Sequence, residues 1–245
     1  FVVQAGLVFR QSVWMTTPDA DRSTDITSGD TVAIEGIVQA TQDGTGRLQT
    51  LRAPLSGREC VFAAWCVEEF YGHELATQSG WTEQVSGYDA EVFELTDGSG
   101  TIAVDVSGDW DFLDTEFDLE ELDSPRQAVS IDDDIPPAIR EFETAKDIEE
   151  RTPAVIDVPT TESGPKQGDR RYYEATIAPG DSVFASGVAK EGDGETDVVV
   201  SDGPDHQLFI SDQGQEGATK NRLFGVVVLA TVGIGILWYA VAPLL

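Results

Sequence analysis

Lysine is scarce, cysteine is scarcer, and no basic run occurs anywhere in the 245 residues. Of 15 cationic residues only Lys146, Lys166, Lys190 and Lys220 are lysine, and the one adjacent basic pair is Arg170–Arg171. Phosphate backbones are bound by clustered Lys and Arg, so nucleic acid is excluded as a partner. The 2 cysteines, Cys60 and Cys66, make no disulfide framework, and no Cys-x-x-Cys occurs. Their even spacing places both on one face of an apolar strand, poorly set to bridge, which fits a reducing compartment and a packing role. A zinc site needs four Cys or His at liganding spacing, and the chain adds only His73 and the distant His206.

What is abundant is acid. Asp and Glu number 45, for a formal net charge of −30, and they are dispersed along the chain rather than gathered in a tail. A domain so charged repels itself at ordinary ionic strength, and high salt relieves the repulsion by shortening the Debye length. The pattern reads as adaptation to a saline cytoplasm.

Leu223 to Leu245 contains no charged residue. At 1.5 Å per residue a helix there would be about 34 Å long, enough for a ~30 Å hydrocarbon core, so the sequence predicts a transmembrane helix. Trp238 and Tyr239 suit its far interface, and Lys220 and Arg222 mark the near side as cytoplasmic. Phe1 to Phe9 is apolar apart from Gln4 and is expected to be the tail of a first such helix, with a short strand or the end of a signal peptide as alternatives. Residues 10–222 then form the soluble domain, and residues 109–151 are its acidic middle region.

Alternating apolar residues and turn signals predict strands over Thr31 to Ala40, Cys60 to Val67, Gly80 to Val85, Glu91 to Leu95 and Thr101 to Val106. The turn Asp97-Gly98-Ser99-Gly100 makes the last two a hairpin. A second β run covers Tyr172 to Ala178, Ser182 to Ala189, Asp197 to Ser201 and Gln207 to Ser211, with the turn Pro179-Gly180-Asp181. Pro136 to Arg151 reads as helix, its Ile139, Phe142, Ala145 and Ile148 spaced by threes. The expected fold is mainly β, a small barrel or sandwich beside the membrane, with a helical acidic insertion and a transmembrane helix.

No residue set earns a catalytic, cofactor or metal role. His73-Glu74 lacks the second histidine of a zincin helix, and Gly98-Ser99-Gly100 lacks the spacing of a nucleophile elbow. Gly44 to Gly46 and Gly192 to Gly194 lack the Gly-Lys-Ser/Thr ending of a phosphate loop and read as turns. Asp132-Asp133-Asp134 is a helix-start charge cluster, with cation binding as the alternative. The aromatic and acidic stretch Asp109 to Asp123 is amphipathic, suited to packing or to a partner.

Three segments stand in a telling order: Ala53-Pro-Leu-Ser-Gly-Arg-Glu-Cys60, Leu95-Thr-Asp-Gly-Ser-Gly-Thr-Ile-Ala-Val-Asp105, and Arg171 to Gly187. Together they resemble the GIDE (or BAM) domain family of membrane E3 ubiquitin ligases of the MULAN/MAPL type, whose domain lies between two transmembrane helices. The resemblance implies a module that recruits a protein partner or substrate. The family ligases transfer ubiquitin through a zinc RING, and these 245 residues contain no RING cysteines.

The resulting expectation is an integral membrane protein of a salt-adapted archaeal cell. Its cytoplasmic GIDE-like domain binds protein partners beside the lipid bilayer, as the non-catalytic part of a ligase would, in an oligomeric state left open. The alternatives are a hydrolase or cation-dependent enzyme using the acidic region, and a structural membrane scaffold.

Overall fold

Strands, several of them alternating in burial, build the core of the described residues. The computed structural model describes residues 20–71, 80–106, 116–151, 164–192, 198–203 and 206–214. In chain order the strands are β1 (Thr31–Ala40), β2 (Leu51–Arg52), β3 (Glu59–Cys60), β4 (Phe62–Tyr71), β5 (Gly80–Ala90), β6 (Phe93–Thr96), β7 (Thr101–Val104), β8 (Glu116–Asp118), β9 (Gln127–Val129), β10 (Arg170–Ile177), β11 (Ser182–Glu191), β12 (Val198–Ser201) and β13 (Phe209–Ser211). Among the described residues, a 3-10 turn, Glu120–Asp123, and an α-helix, α1 (Pro137–Ala145), lie in the middle of the chain.

Five strands close on themselves. β1 pairs with β6, β6 with β7, β7 with β12, β12 with β11, and β11 returns to β1. Every pair is antiparallel except β7–β12. This is the Greek-key connectivity of an OB-type barrel, and closure removes the exposed edges that a five-stranded sheet would otherwise present. On β1 the side chains of Val32, Ile34 and Val38 turn inward to meet Phe93, Leu95, Ile102, Val104, Val183 and Ala185. At Gly187 a Cβ would stand 2.7 Å from the carbonyl oxygen of Ser201, so the approach of β11 to β12 requires glycine. β13 adds to β11 beyond the end of β12, and β8 pairs with β13 in parallel.

A second sheet of four antiparallel strands, β5-β4-β10-β9, grows out of the barrel wall. β5 runs into β6 after two residues, and β10 into β11 through the Ala178–Asp181 turn. One face of this sheet begins as barrel core, where Phe62, Ala64, Ala175 and Ile177 join the barrel cluster. The opposite face packs α1 through a smaller core of Trp65, Val67, Val129, Ile139, Phe142 and Tyr172.

Several expectations are corrected. The helix of the middle region is nine residues, not the sixteen that the spacing suggested. It stops in a Schellman turn: Asp147 adopts φ 52°, and the Ile148 amide reaches back to the Glu143 carbonyl at 2.9 Å. Ile148 thereby joins the small core from outside the helix. Nor is the acidic region simply a helical insertion. Glu116–Asp118 and Gln127–Val129 are strands of the two sheets, and Phe117 packs at 4.7 Å from Phe62.

The expected fold also carried a transmembrane helix, and no such helix is among its described elements. Helix α1 spans about 14 Å, under half a bilayer core. Among the described residues no helix is long and apolar enough to cross a membrane. The stretches that carried the expectation, 1–9 and Leu223–Leu245, lie outside the described residues, as do His73, Glu74 and residues 107–115.

Candidate functional site

The three sequence motifs meet as structural joints. In the first, the loop Ala53–Arg58 turns on itself, its Gly57 amide donating to the Ala53 carbonyl. The amides of Leu55 and Ser56 then point at Glu174 of the third motif, at 2.6 and 3.0 Å. In the second, Asp97 accepts from Ser23, Ser99 and Gly100, and Gly98 holds φ +84° in the turn. Partial burial works against ionisation of Asp97, but these donors outweigh it and hold its carboxyl well below the usual range. In the third, the Pro179-Gly180 turn is bound to β1 through Val38.

A buried polar network fixes α1 to the second sheet. Arg170, 2 % exposed, donates to Glu69 at 2.7 Å, to Glu143 at 2.8 Å and to the Glu149 carbonyl at 2.7 Å. Tyr172 donates to Glu143 at 2.6 Å, and Arg151 donates to the Tyr172 hydroxyl. Burial disfavours the Arg170 charge, yet the two carboxylates overcome it and raise its pKa. Two guanidiniums thus occupy the carboxylates, leaving an anchor rather than a free acid and base.

The nucleophiles are inert in their settings. Cys60 and Cys66 do not share a strand, because Val61 leaves the ladder between β3 and β4 to donate to Ile177. Cys60 is buried with Ala53 and Ala63. Burial pushes its thiol up to about 11, and burial with Glu83 and Glu68 pushes Cys66 to about 12. Ser186 lies 3.1 Å from Nε2 of His206, a pair that residue spacing did not reveal. Both are buried on the outer side of β11, and the contact ties the Gly203–His206 bridge to that strand.

Asp132 is engaged by Lys166, and no acid caps α1. Among the described residues no group of three or more His, Cys, Asp or Glu is placed to hold a metal ion. An open groove of about 690 Å³ beside the barrel is lined by Glu35, Ile37, Gln39, Thr96, Asp97 and Ser182, and Asp97 is already saturated by its turn.

One surface remains that is neither core nor anchor. Past the barrel rim, the face of the second sheet that began with Phe62 and Ile177 continues outward as Cys66, Glu68, Phe70, Trp81, Arg171 and Tyr173. All six are half-buried. The Arg171 guanidinium lies 3.8 Å from the Trp81 ring centroid, Phe70 meets Trp81 edge-on at 5.4 Å, and Tyr173 donates to Glu68 at 2.7 Å. Sequence reasoning missed this cluster because its members come from three strands, of which β10 lies about ninety residues beyond β4 and β5, and a bulge in the β4–β5 ladder hides which residues share a face. The signal available was Arg-Arg-Tyr-Tyr at 170–173, whose alternate residues face opposite sides.

No family model, no curated protein and no solved structure matches this chain.

Proposed function

We infer that this chain is a non-catalytic protein-binding module that docks a partner bearing cationic and apolar side chains on the open face of its second sheet. The observation that carries the reading is the Phe70–Trp81–Arg171–Tyr173 cluster, half-exposed and held in place by its own stacking and hydrogen bonds. Trp, Tyr and Arg are the residues that contribute most when an interface is desolvated, and prior ordering lowers the entropy lost on binding. Glu68 and the exposed Glu83 give the face an acidic margin, in line with the charge of the whole chain. Of the surface that OB-type barrels use for oligonucleotides, the part formed by β6 and β7 carries Glu94, Thr96 and Thr101 and no cation, which supports a protein partner over nucleic acid.

The GIDE-like motifs support a sharper version, in which the module recruits partners for a ubiquitin-type ligase without performing the transfer. Their residues act as joints between elements, which is what a recruiting domain needs of them.

The test is capture of proteins from native cell extract in concentrated salt by the full chain, set beside the Trp81→Ala, Arg171→Glu chain, with thermal unfolding of both. A protein retained by the first and reduced about tenfold or more by the second, at similar Tm, supports the reading. Equal retention overturns it. Conjugating enzymes of the ubiquitin type among the retained proteins would support the ligase version, and transfer activity of the isolated chain would refute the non-catalytic one.

A further inference from the structure

On the open face of the second sheet two carboxylates stand directly opposite each other. The β4–β5 register pairs Glu68 with Glu83, between the pair Cys66–Ser86 on one side and the pair Phe70–Trp81 on the other. Like charges opposite each other on one face of a ladder destabilise it. A cation is at hand, since Arg171 is the β10 partner of Glu68. Its guanidinium lies over the Trp81 ring instead, and among the described residues no ion pair joins it to either glutamate.

Both carboxylates are held in position by hydroxyls. Tyr173 donates to Glu68 at 2.7 Å and Ser86 to Glu83 at 2.6 Å. An ionised carboxylate offers about four acceptor sites, so most of that capacity faces outward from the sheet. A bare metal ion does not suit the pair, because among the described residues no group of three or more His, Cys, Asp or Glu is placed to hold one. A cation carried on an apolar stem does suit it. The next pair along the same ladder is Phe70 opposite Trp81, two rings that meet edge-on at 5.4 Å and give such a stem a surface to lie on.

We propose that the Glu68–Glu83 pair is the seat for one lysine or arginine side chain of the partner, its charged end between the two carboxylates and its aliphatic stem against Phe70. This rests on the protein-binding reading above and names the side chain that the open face selects. The free protein bears the repulsion of the pair, and a seated cation removes it, so the arrangement favours binding at the expense of the unbound fold. Glu83 is exposed and Glu68 half-buried, which leaves the seat open to an incoming side chain. A second copy of this chain is a poor source of that side chain, because it would join two bodies of net charge −30.

The probes are short fluorescently labelled peptides, identical except for one central residue flanked by leucine and valine, which is lysine, arginine or the uncharged isostere norleucine. With the full chain in concentrated salt, the lysine or the arginine peptide is expected to bind about fivefold or more tightly than the norleucine peptide, and the tighter of the two identifies the side chain. In the Glu68→Gln, Glu83→Gln chain the preference should fall to about twofold or less, since glutamine keeps an acceptor for Tyr173 and for Ser86 without the charge. The Tm of that chain should equal or exceed the original, because the repulsion is gone. Equal binding of the charged and norleucine peptides, no binding of any, a preference that survives in the glutamine chain, or a lower Tm overturns the proposal. If Trp81→Ala, Arg171→Glu abolishes partner capture while the two glutamines leave it unchanged, the seat falls and the open-face reading stands. If neither variant affects capture, both fall.

Discussion

The carboxylate of Glu174, fully buried on β10, receives the Leu55 amide at 2.6 Å from a loop 119 residues earlier in the chain. The Ser56 amide adds a second bond, and Arg126 stands 3.7 Å away as a partly exposed counter-ion. Successive amides converging on one point form an anion nest, and here the chain supplies its own anion. Glu174→Ala leaves two amides without an acceptor and should cost about 3 kcal/mol, while Glu174→Gln keeps one acceptor oxygen and should cost about 1 kcal/mol. Denaturant titration in concentrated salt measures both. Equal, small losses would show that the loop is held by something else.

Arg170 should be harder to replace alone than together with its partner. Arg170→Met strands Glu69 in a buried site, leaves Glu143 with Tyr172 and Arg151, and is expected to cost about 3–5 kcal/mol. Adding Glu69→Leu removes one stranded charge and should recover part of that loss. A double-mutant cycle at fixed salt reads the coupling, and strict additivity would remove the network from any account of how α1 is held.

His206 gives the fold an acid limit. Burial lowers its pKa from the ordinary 6.5, partly opposed by Asp202, and the Ser186 contact suits the neutral ring. Below about 6.5 the unfolded chain takes up a proton that the folded chain refuses, so stability falls as pH drops toward the depressed folded value. Replacing His206 by Gln should flatten this part of the stability profile below about pH 6.5. An unchanged slope would place the acid sensitivity elsewhere.

Cys66 sits on the candidate face, yet its thiol should be sluggish. A pKa pushed from 9.0 to about 12 lowers the thiolate fraction near pH 8 by about a thousandfold, and alkylation by iodoacetamide should slow accordingly in the native state. Unfolding in guanidinium should restore the rate. Native-state alkylation at the rate of a free cysteine would mean that the sulfur is not buried beside Glu83 and Glu68.

Much of the barrel was legible because strands that bury one face alternate in sequence. Thr31–Ala40 matches its expected bounds, and Phe93–Thr96 and Thr101–Val104 form the expected antiparallel hairpin. The Ser182 and Val198 strands also lie where alternation placed them. What escaped was of another kind. The strand Glu116–Asp118 is three residues long and pairs in parallel, so it has neither the length nor the hairpin turn that marks a strand. Ile148 fits the helical spacing but packs after the helix has stopped, because Asp147 takes a left-handed turn that no periodicity announces.

By itself the sequence determined the strand-rich class and the acidic charge, since each depends on residue type and local period alone. Tertiary structure decided the rest. It closed β1 onto β11, placed Glu174 under Leu55 and Ser56, separated Cys60 from Cys66, and assembled Phe70, Trp81, Arg171 and Tyr173 on one face. Those relationships hold at separations from six positions to more than a hundred, and register and burial, not spacing along the chain, decide which residues meet.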